Sequence, residues 1–405
     1  MIYEWLAAVL FWAAATGPAF DAAYRAGLQA LQENRLPEAQ SQLEAASKMQ
    51  PRNPQVWLAL AQTYFKEKKK PMADAAALRA ETLGAADPVV LQALAFYFAE
   101  SQNPAKAAVF ETRYAEKSQD EQAYVRAVQL YLSAKQMPQA IATAQKALLR
   151  GHDLPDLHEL LANCYDSTNQ FSKATQEYGL ALKARPFDES YYFQYAEAFL
   201  RREKFSEALQ VLDAARERFD KSAQIELARG VALYGLRRFP ETVDAFLKTI
   251  ALAPDIDQPY LFLGRMLDVV EDKMPEVSGA LASYASMKPN DSVSSFLYAK
   301  ALLAQQAEPD QVEPLLRKSI QLNPAYWESH FELGTVLEKR SDWTGAVQEY
   351  RKSIELNAKA SAPHYRLARV YERLGKTQDA VAERAVHARL EAAEKAAVGH
   401  GIAGR

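Results

Sequence analysis

The chain has 405 residues with 48 Lys plus Arg, 51 Asp plus Glu and a formal net charge of −3, which excludes a nucleic-acid binder built on a global basic excess. Hydrophobic residues make up 49%, too many for a disordered chain. With 73 alanines against 15 glycines and 19 prolines the composition favours helix, and the single cysteine, Cys164, excludes both a disulfide framework and a cysteine-based structural zinc site.

In chain order, the first feature is the uncharged run Trp5–Ala15, followed by Gly17 and Pro18. It is too short to span a bilayer and has the length of a secretory h-region, so residues 1–19 are expected to be a signal-peptide-like segment and the protein to be exported, periplasmic or extracellular if bacterial. The segment ahead of it carries Glu4 and no Lys or Arg, which departs from that pattern. The alternative is an apolar helix capping the fold of a cytoplasmic protein. On the first reading, membrane contact is limited to a transient signal sequence.

From there a fixed spacing governs the sequence. Leu161-Ala162-x-x-Tyr165 with Ala174, Tyr178 and Ala181 returns 34 residues on as Tyr195-Ala196-x-x-Phe199 with Ala208, Leu212 and Ala215. The frame extends back through Trp57, Leu60, Ala61 and Tyr64. It extends forward through Leu333, Gly334 and Leu337 to Leu367, Ala368 and Tyr371. Eleven copies start near residues 20, 54, 88, 121, 155, 189, 223, 257, 293, 327 and 361. A small residue recurs at the eighth position: Gly27, Ala61, Ala95, Ala162, Ala196, Gly230, Gly264, Gly334 and Ala368. Twelve residues later comes alanine (39, 73, 107, 140, 174, 208, 346, 380), and Pro51, Pro186, Pro254, Pro289 and Pro324 fall where units end. Small side chains let helices approach and the large ones fill the space so opened. Each unit is therefore expected to be a hairpin of two helices, stacked on its neighbours because no hairpin buries its apolar face alone.

This pattern resembles the tetratricopeptide repeat family, whose 34-residue signature is W-x2-L-G-x2-Y…A-x3-F…P. The resemblance implies an all-α fold, an α-solenoid forming a right-handed superhelix of about eleven helix-turn-helix hairpins over residues 20–390. Residues 391–405 are expected to extend the last helix and, from Gly399, to form a flexible tail. The register slips in places. The third unit is one residue short and the eighth about two long around Glu271–Pro275, while the ninth has Lys300 at the small site and Val312 at the alanine site. Units 8 and 9 are accordingly expected to form a softer joint between two arrays.

Motifs for chemistry are sparse. Gly375-Lys376-Thr377 resembles the end of a P-loop but lacks the earlier glycine, since Val370 stands there. The six histidines form no HExxH or i,i+4 pair, and His330 and His364, at the position of Trp57 and Tyr192, are expected to pack. Cys164 reads as a buried structural thiol. The basic run Lys66–Lys70 reads as a solvated turn. No metal site, cofactor, catalytic residue or nucleic-acid face is expected.

What remains is a surface. Positions 2, 5, 9 and 12 of each first helix lie on one side and are not used in packing. In the resemblance family the first helices line a concave groove for peptides. The face includes Phe65, Phe96, Gln129, Asn163, Phe193, Glu197, Tyr234, Arg265, Phe331, Tyr365 and Arg369, a mixture of aromatic and polar groups suited to contact with a partner. The clamp by which chaperone-binding members hold a C-terminal carboxylate needs Lys at position 5 and Asn at position 9. Only Asn163 meets either requirement, and Glu159 stands at position 5 of that unit. The expected function is a non-catalytic scaffold for partner proteins or peptides of unknown identity, of the kind used in envelope assembly or secretion. The alternatives are an accessory subunit of an enzyme complex, for example in glycosyl transfer, and a self-assembling homo-oligomer.

Overall fold

The computed structural model describes residues 17–403 except residue 119. The apolar run Trp5–Ala15 and its signal-like reading lie outside the described residues. Among the described residues there are 22 α-helices and no strand, and the chain divides into two compact units between Tyr191 and Tyr192.

The first unit pairs α1 (Pro18–Gln32) with α2 (Leu36–Met49), α3 (Pro54–Lys66) with α4 (Lys70–Gly84), α5 (Pro88–Glu100) with α6 (Pro104–Lys117), α7 (Gln122–Ser133) with α8 (Met137–Leu149), and α9 (Pro155–Ser167) with α10 (Phe171–Ala184). The boundary falls within α11 (Glu189–Leu200), which α12 (Phe205–Arg216) follows. The second unit continues with α13 (Ala223–Gly235) and α14 (Phe239–Leu252), then α15 (Gln258–Arg265) and α16 (Met274–Met287). It ends with α17 (Ser292–Ala304) and α18 (Pro309–Leu322), α19 (Trp327–Lys339) and α20 (Trp343–Leu356), and α21 (Ser361–Arg373) and α22 (Thr377–Ala403). The eleven hairpins are the eleven sequence copies.

Local chemistry starts and stops these helices. Asn53, Asp87 and Asp342 accept the N–H groups of Gln55, Val89 and Gly345 at 2.9–3.0 Å, and proline opens many helices at a position whose N–H has no helical partner. Ten of the eleven hairpin turns share one device. A residue with φ between +56° and +73° follows the first helix: Asn34, Lys68, Gln102, Lys135, Asn169, Glu203, Arg237, Gln306, Ser341 and Gly375. The next N–H then donates back across the turn to the carbonyl five residues upstream, as Lys69 does to Tyr64 at 2.8 Å and Lys376 to Tyr371 at 2.8 Å. Gly375 thus belongs to a helix stop, not a phosphate loop.

Packing follows the repeat. All eight alanines of the second helices are buried, each at most 1% exposed. A methyl group added to Gly230 or Gly334 would lie 2.4 Å from the Phe246 ring and 2.7 Å from the Tyr350 ring. The large side chains of the second helix therefore rest on the bare backbone of the first.

Hairpins 8 and 9 correct two expectations. The extra length of hairpin 8 is real: α15 has 8 residues and is followed by two 3-10 turns, Leu267–Val269 and Glu271–Lys273. The ninth first helix, however, starts at Ser292, so the small site is Ala299, 0% exposed, and Lys300 occupies the adjacent position. The eighth and ninth hairpins each hold one extra residue, where the sequence pattern alone places both in the eighth. Nor do they divide the fold: Met266, Leu267, Val270, Leu281, Leu297 and Leu316 are buried in one continuous core that reaches Ala380. At the far end α22 runs through Gly399 and Gly401 to Ala403, because a glycine with no proline after it weakens a helix by only ~1 kcal/mol.

Two substitutions test the hairpin in opposite directions. Gly334→Ala should destabilise the protein by about 1–3 kcal/mol through overpacking against Tyr350. Lys135→Gly should stabilise it by roughly 1 kcal/mol by relieving the left-handed conformation at φ 57°. Denaturant melts followed by circular dichroism measure both.

Candidate partner-binding face

Position 4 of the first helices points into each hairpin and is not part of the face, but it fixes where the face lies. Trp57 Nε1 and Tyr260 Oη donate to the carbonyls of Pro51 and Pro254, each six residues upstream, at 3.0 Å. His330 Nε2 does the same to Pro324 at 3.1 Å. One side chain thereby ties the proline loop between repeats to the helix it precedes.

The histidines at this position do more than pack. His158, His330 and His364 each place Nδ1 2.5–2.6 Å from a carboxylate oxygen 19 residues on, of Glu177, Glu349 and Glu383. His158 Nε2 also meets Asp153 at 2.6 Å. A buried imidazole must satisfy both nitrogens, and where both partners are acceptors it does so as the doubly protonated cation. The Glu177 bond raises the His158 pKa and the Glu349 bond raises that of His330, both against the opposing effect of burial. In hairpin 7 the same position holds Glu226, 1% exposed, its Oε1 bonded to Arg216 at 2.8 Å and Lys248 at 2.6 Å. The sequence pattern alone assigns His330 and His364 to packing and passes over His158. The signal is a glutamate at a constant spacing of 19 in the same three units.

The face itself is uneven. Phe96 is 41% and Tyr365 45% exposed, and Gln129, Arg265 and Arg369 are exposed too. Phe193, Glu197 and Asn163 are half-buried, with Asn163 accepting from Tyr178 Oη at 2.6 Å. Phe65, Tyr234 and Phe331 are largely committed to the core. Phe65 meets Tyr97 edge-on at 5.9 Å, Tyr234 meets Phe262 at 5.2 Å and Phe331 lies 5.9 Å from Tyr350. Leu58 and Gln62, on the same stripe, are buried. Lys300, which the register slip hides in the sequence, joins the stripe at the position of Phe96 and Arg369. Its Nζ donates to the Gly264 carbonyl at 3.0 Å, capping the open end of the shortened α15.

Chemistry elsewhere is quiet. Cys164 is fully buried, and burial pushes its thiol up to about 11, far from the thiolate a nucleophile needs. Among the described residues no group of three or more His, Cys, Asp or Glu could hold a metal ion, and no helix is long and apolar enough to cross a membrane.

The tetratricopeptide repeat family model matches residues 18–88, 194–255 and 331–397. The chain is a tetratricopeptide-repeat protein. No curated protein matches the sequence. Solved structures similar to it include Naa15/Naa10 bound to HypK-THB, 14% identical, covering 91% of this chain and 68% of that one with a TM-score of 0.44. Yeast Tom70 is 15% identical, with 92% of each chain covered and a TM-score of 0.37. The Cut9–Hcn1 hetero-tetramer of the APC/C is 13% identical, covering 92% of this chain and 87% of that one with a TM-score of 0.40.

The histidine pairs make this tetratricopeptide-repeat protein sensitive to pH in a defined sense. A histidine whose folded pKa is raised contributes its full stabilisation below the unfolded value of about 6.5 and loses it as pH rises through the folded value. Wild type should therefore lose melting temperature between pH 6 and the alkaline side of the folded His158 and His330 values. A His158→Gln, His330→Gln variant should show a shallower slope over the same range. Separately, Glu226→Gln should cost about 1–3 kcal/mol, because two of its cation partners would lose their buried counter-charge.

Proposed function

We propose that this tetratricopeptide-repeat protein is a non-catalytic scaffold that holds segments of partner polypeptides on the first-helix face. The observation that carries this reading is the contrast between positions within the same helices. Position 8 is small in nearly every hairpin, whereas position 9 reads Leu28, Gln62, Phe96, Gln129, Asn163, Glu197, Val231, Arg265, Lys300, Thr335 and Arg369 in turn. A fold maintained by repetition has no structural need for that variety, while recognition of an irregular sequence does. Large exposed rings on the stripe, Phe96 and Tyr365, have the area of contact anchors.

The apolar run Trp5–Ala15 supports a further element of the reading, that the scaffold acts after export, in envelope assembly or secretion.

A Phe96→Ala, Tyr365→Ala variant should keep wild-type helicity, since both rings are more than a third exposed. In affinity capture from the native host, followed by mass spectrometry, it should lose partners that wild type retains. Equal recovery by both proteins would place recognition away from this face.

A further inference from the structure

The last two hairpins form a shallow cavity of about 270 Å³. Its walls come from α19 and α21, with Trp343 at one edge. Arg366, Arg369 and Arg373 follow one another at intervals of three and four residues along α21, so they project on one side of it, and Lys339 faces them from α19. The carboxylate in the cavity wall is Glu338. It is 13% exposed and already accepts the Tyr350 hydroxyl at 2.9 Å. Arg366 and Arg369 approach it at 3.6 and 3.5 Å, longer than the 2.7–2.9 Å of a charge-assisted hydrogen bond. Arg366 and Lys339 both interact electrostatically with Glu332, whose carboxyl burial pushes above its usual range. Glu372, next along α21, is turned to Arg384 at 2.6 Å. Among the described residues no carboxylate lies within ion-pair distance of Lys339 or Arg373.

Four cations thus surround one bonded glutamate in a concavity on the face assigned above to partners. Like charges so placed repel unless an anion comes between them. Each guanidinium offers several N–H donors in a planar fork that matches a carboxylate. The cavity is below the size of a small-molecule site and open along the groove, which suits the side chains of a passing chain.

We propose that this cavity receives an acidic stretch of a partner polypeptide, with Lys339, Arg369 and Arg373 pairing to its Asp or Glu carboxylates and Trp343 covering the adjacent backbone. This rests on the scaffold reading and adds the chemical class of partner and the place where it is read. Glu338 offsets part of the charge of the two inner arginines, and Lys339 and Arg373 leave the cavity net positive, so its electrostatic attraction extends into solvent. Association is steered by charge and weakens with salt.

The test uses the full chain and a fluorescein-labelled 12-residue peptide rich in Asp and Glu, read by fluorescence anisotropy. Its Asn/Gln counterpart, a Lys-rich peptide and a 12-nucleotide RNA serve as comparators. Wild type should bind the acidic peptide at least about tenfold more tightly than each comparator, with affinity falling as NaCl rises from 50 to 500 mM. Lys339→Glu with Arg373→Glu should reduce binding about tenfold or more. These two residues hold no internal ion pair, so the variant should keep wild-type circular dichroism, and Arg373→Gln should give an intermediate loss. Unchanged binding by K339E/R373E, equal binding of the Asn/Gln peptide, or tighter binding of RNA would each overturn the proposal. Host partners captured alike by wild type and K339E/R373E, with no preference for acidic peptide, would overturn it while leaving the scaffold reading intact. Capture by neither, with no peptide bound, would overturn both.

Discussion

The hydrogen bond that closes each hairpin turn sets the geometry of the whole repeat. An N–H just past a left-handed residue donates to the carbonyl at position 11 of the first helix, and the helix can go no further. The stop comes at the same point in ten hairpins, so the second helix starts in the same place and its large residues descend on the same small ones. Nine of the ten turns achieve this without glycine, at roughly 1 kcal/mol of backbone strain each. Burial of the hairpin interior offsets that strain, and part of the outer side of the first helix, such as Phe96 and Tyr365, stays exposed.

Hairpin 8 shows what happens when the turn is lost. Its first helix stops at Arg265 and the chain passes through two 3-10 turns before α16. Leucine and valine side chains in that passage still reach the core, and a methyl group on Gly264 would strike Leu297 of the next hairpin instead of its own second helix. Lys300 then supplies the open carbonyl end with a cation. The defect is repaired by its neighbour, which is why the core runs through it.

Most of this architecture was legible from residue order, for a physical reason. A repeat writes each packing contact eleven times, so single departures do not obscure it. The small position, the buried alanines and the loop prolines were readable because each depends on size or on a missing N–H, properties of the residue itself. The ninth register was not. Ala299 and Ala301 flank Lys300, and only the left-handed Gln306 reveals where the extra residue sits. The face was legible in part. Helical spacing finds the stripe, but whether Phe96 stays exposed while Tyr234 folds onto Phe262 depends on side chains of adjacent hairpins. The arginine-lined cavity was hidden for a related reason: Arg369 was on the stripe, but Arg366 and Arg373 lie at its edges and become one site only against α19.

The turn also governs how the molecule comes apart. Within each compact unit the helices pack against those nearest in sequence, and every hairpin closes on itself over about 34 residues. Few long loops must be closed before contacts form, which is the condition for rapid folding. It is also the condition for piecemeal failure under tension. A pull along the chain meets no strand ladder that shears as a whole. It meets a series of small locks, each released when one backbone bond across a turn gives way, so the protein would lengthen in hairpin-sized steps and recoil in the same increments.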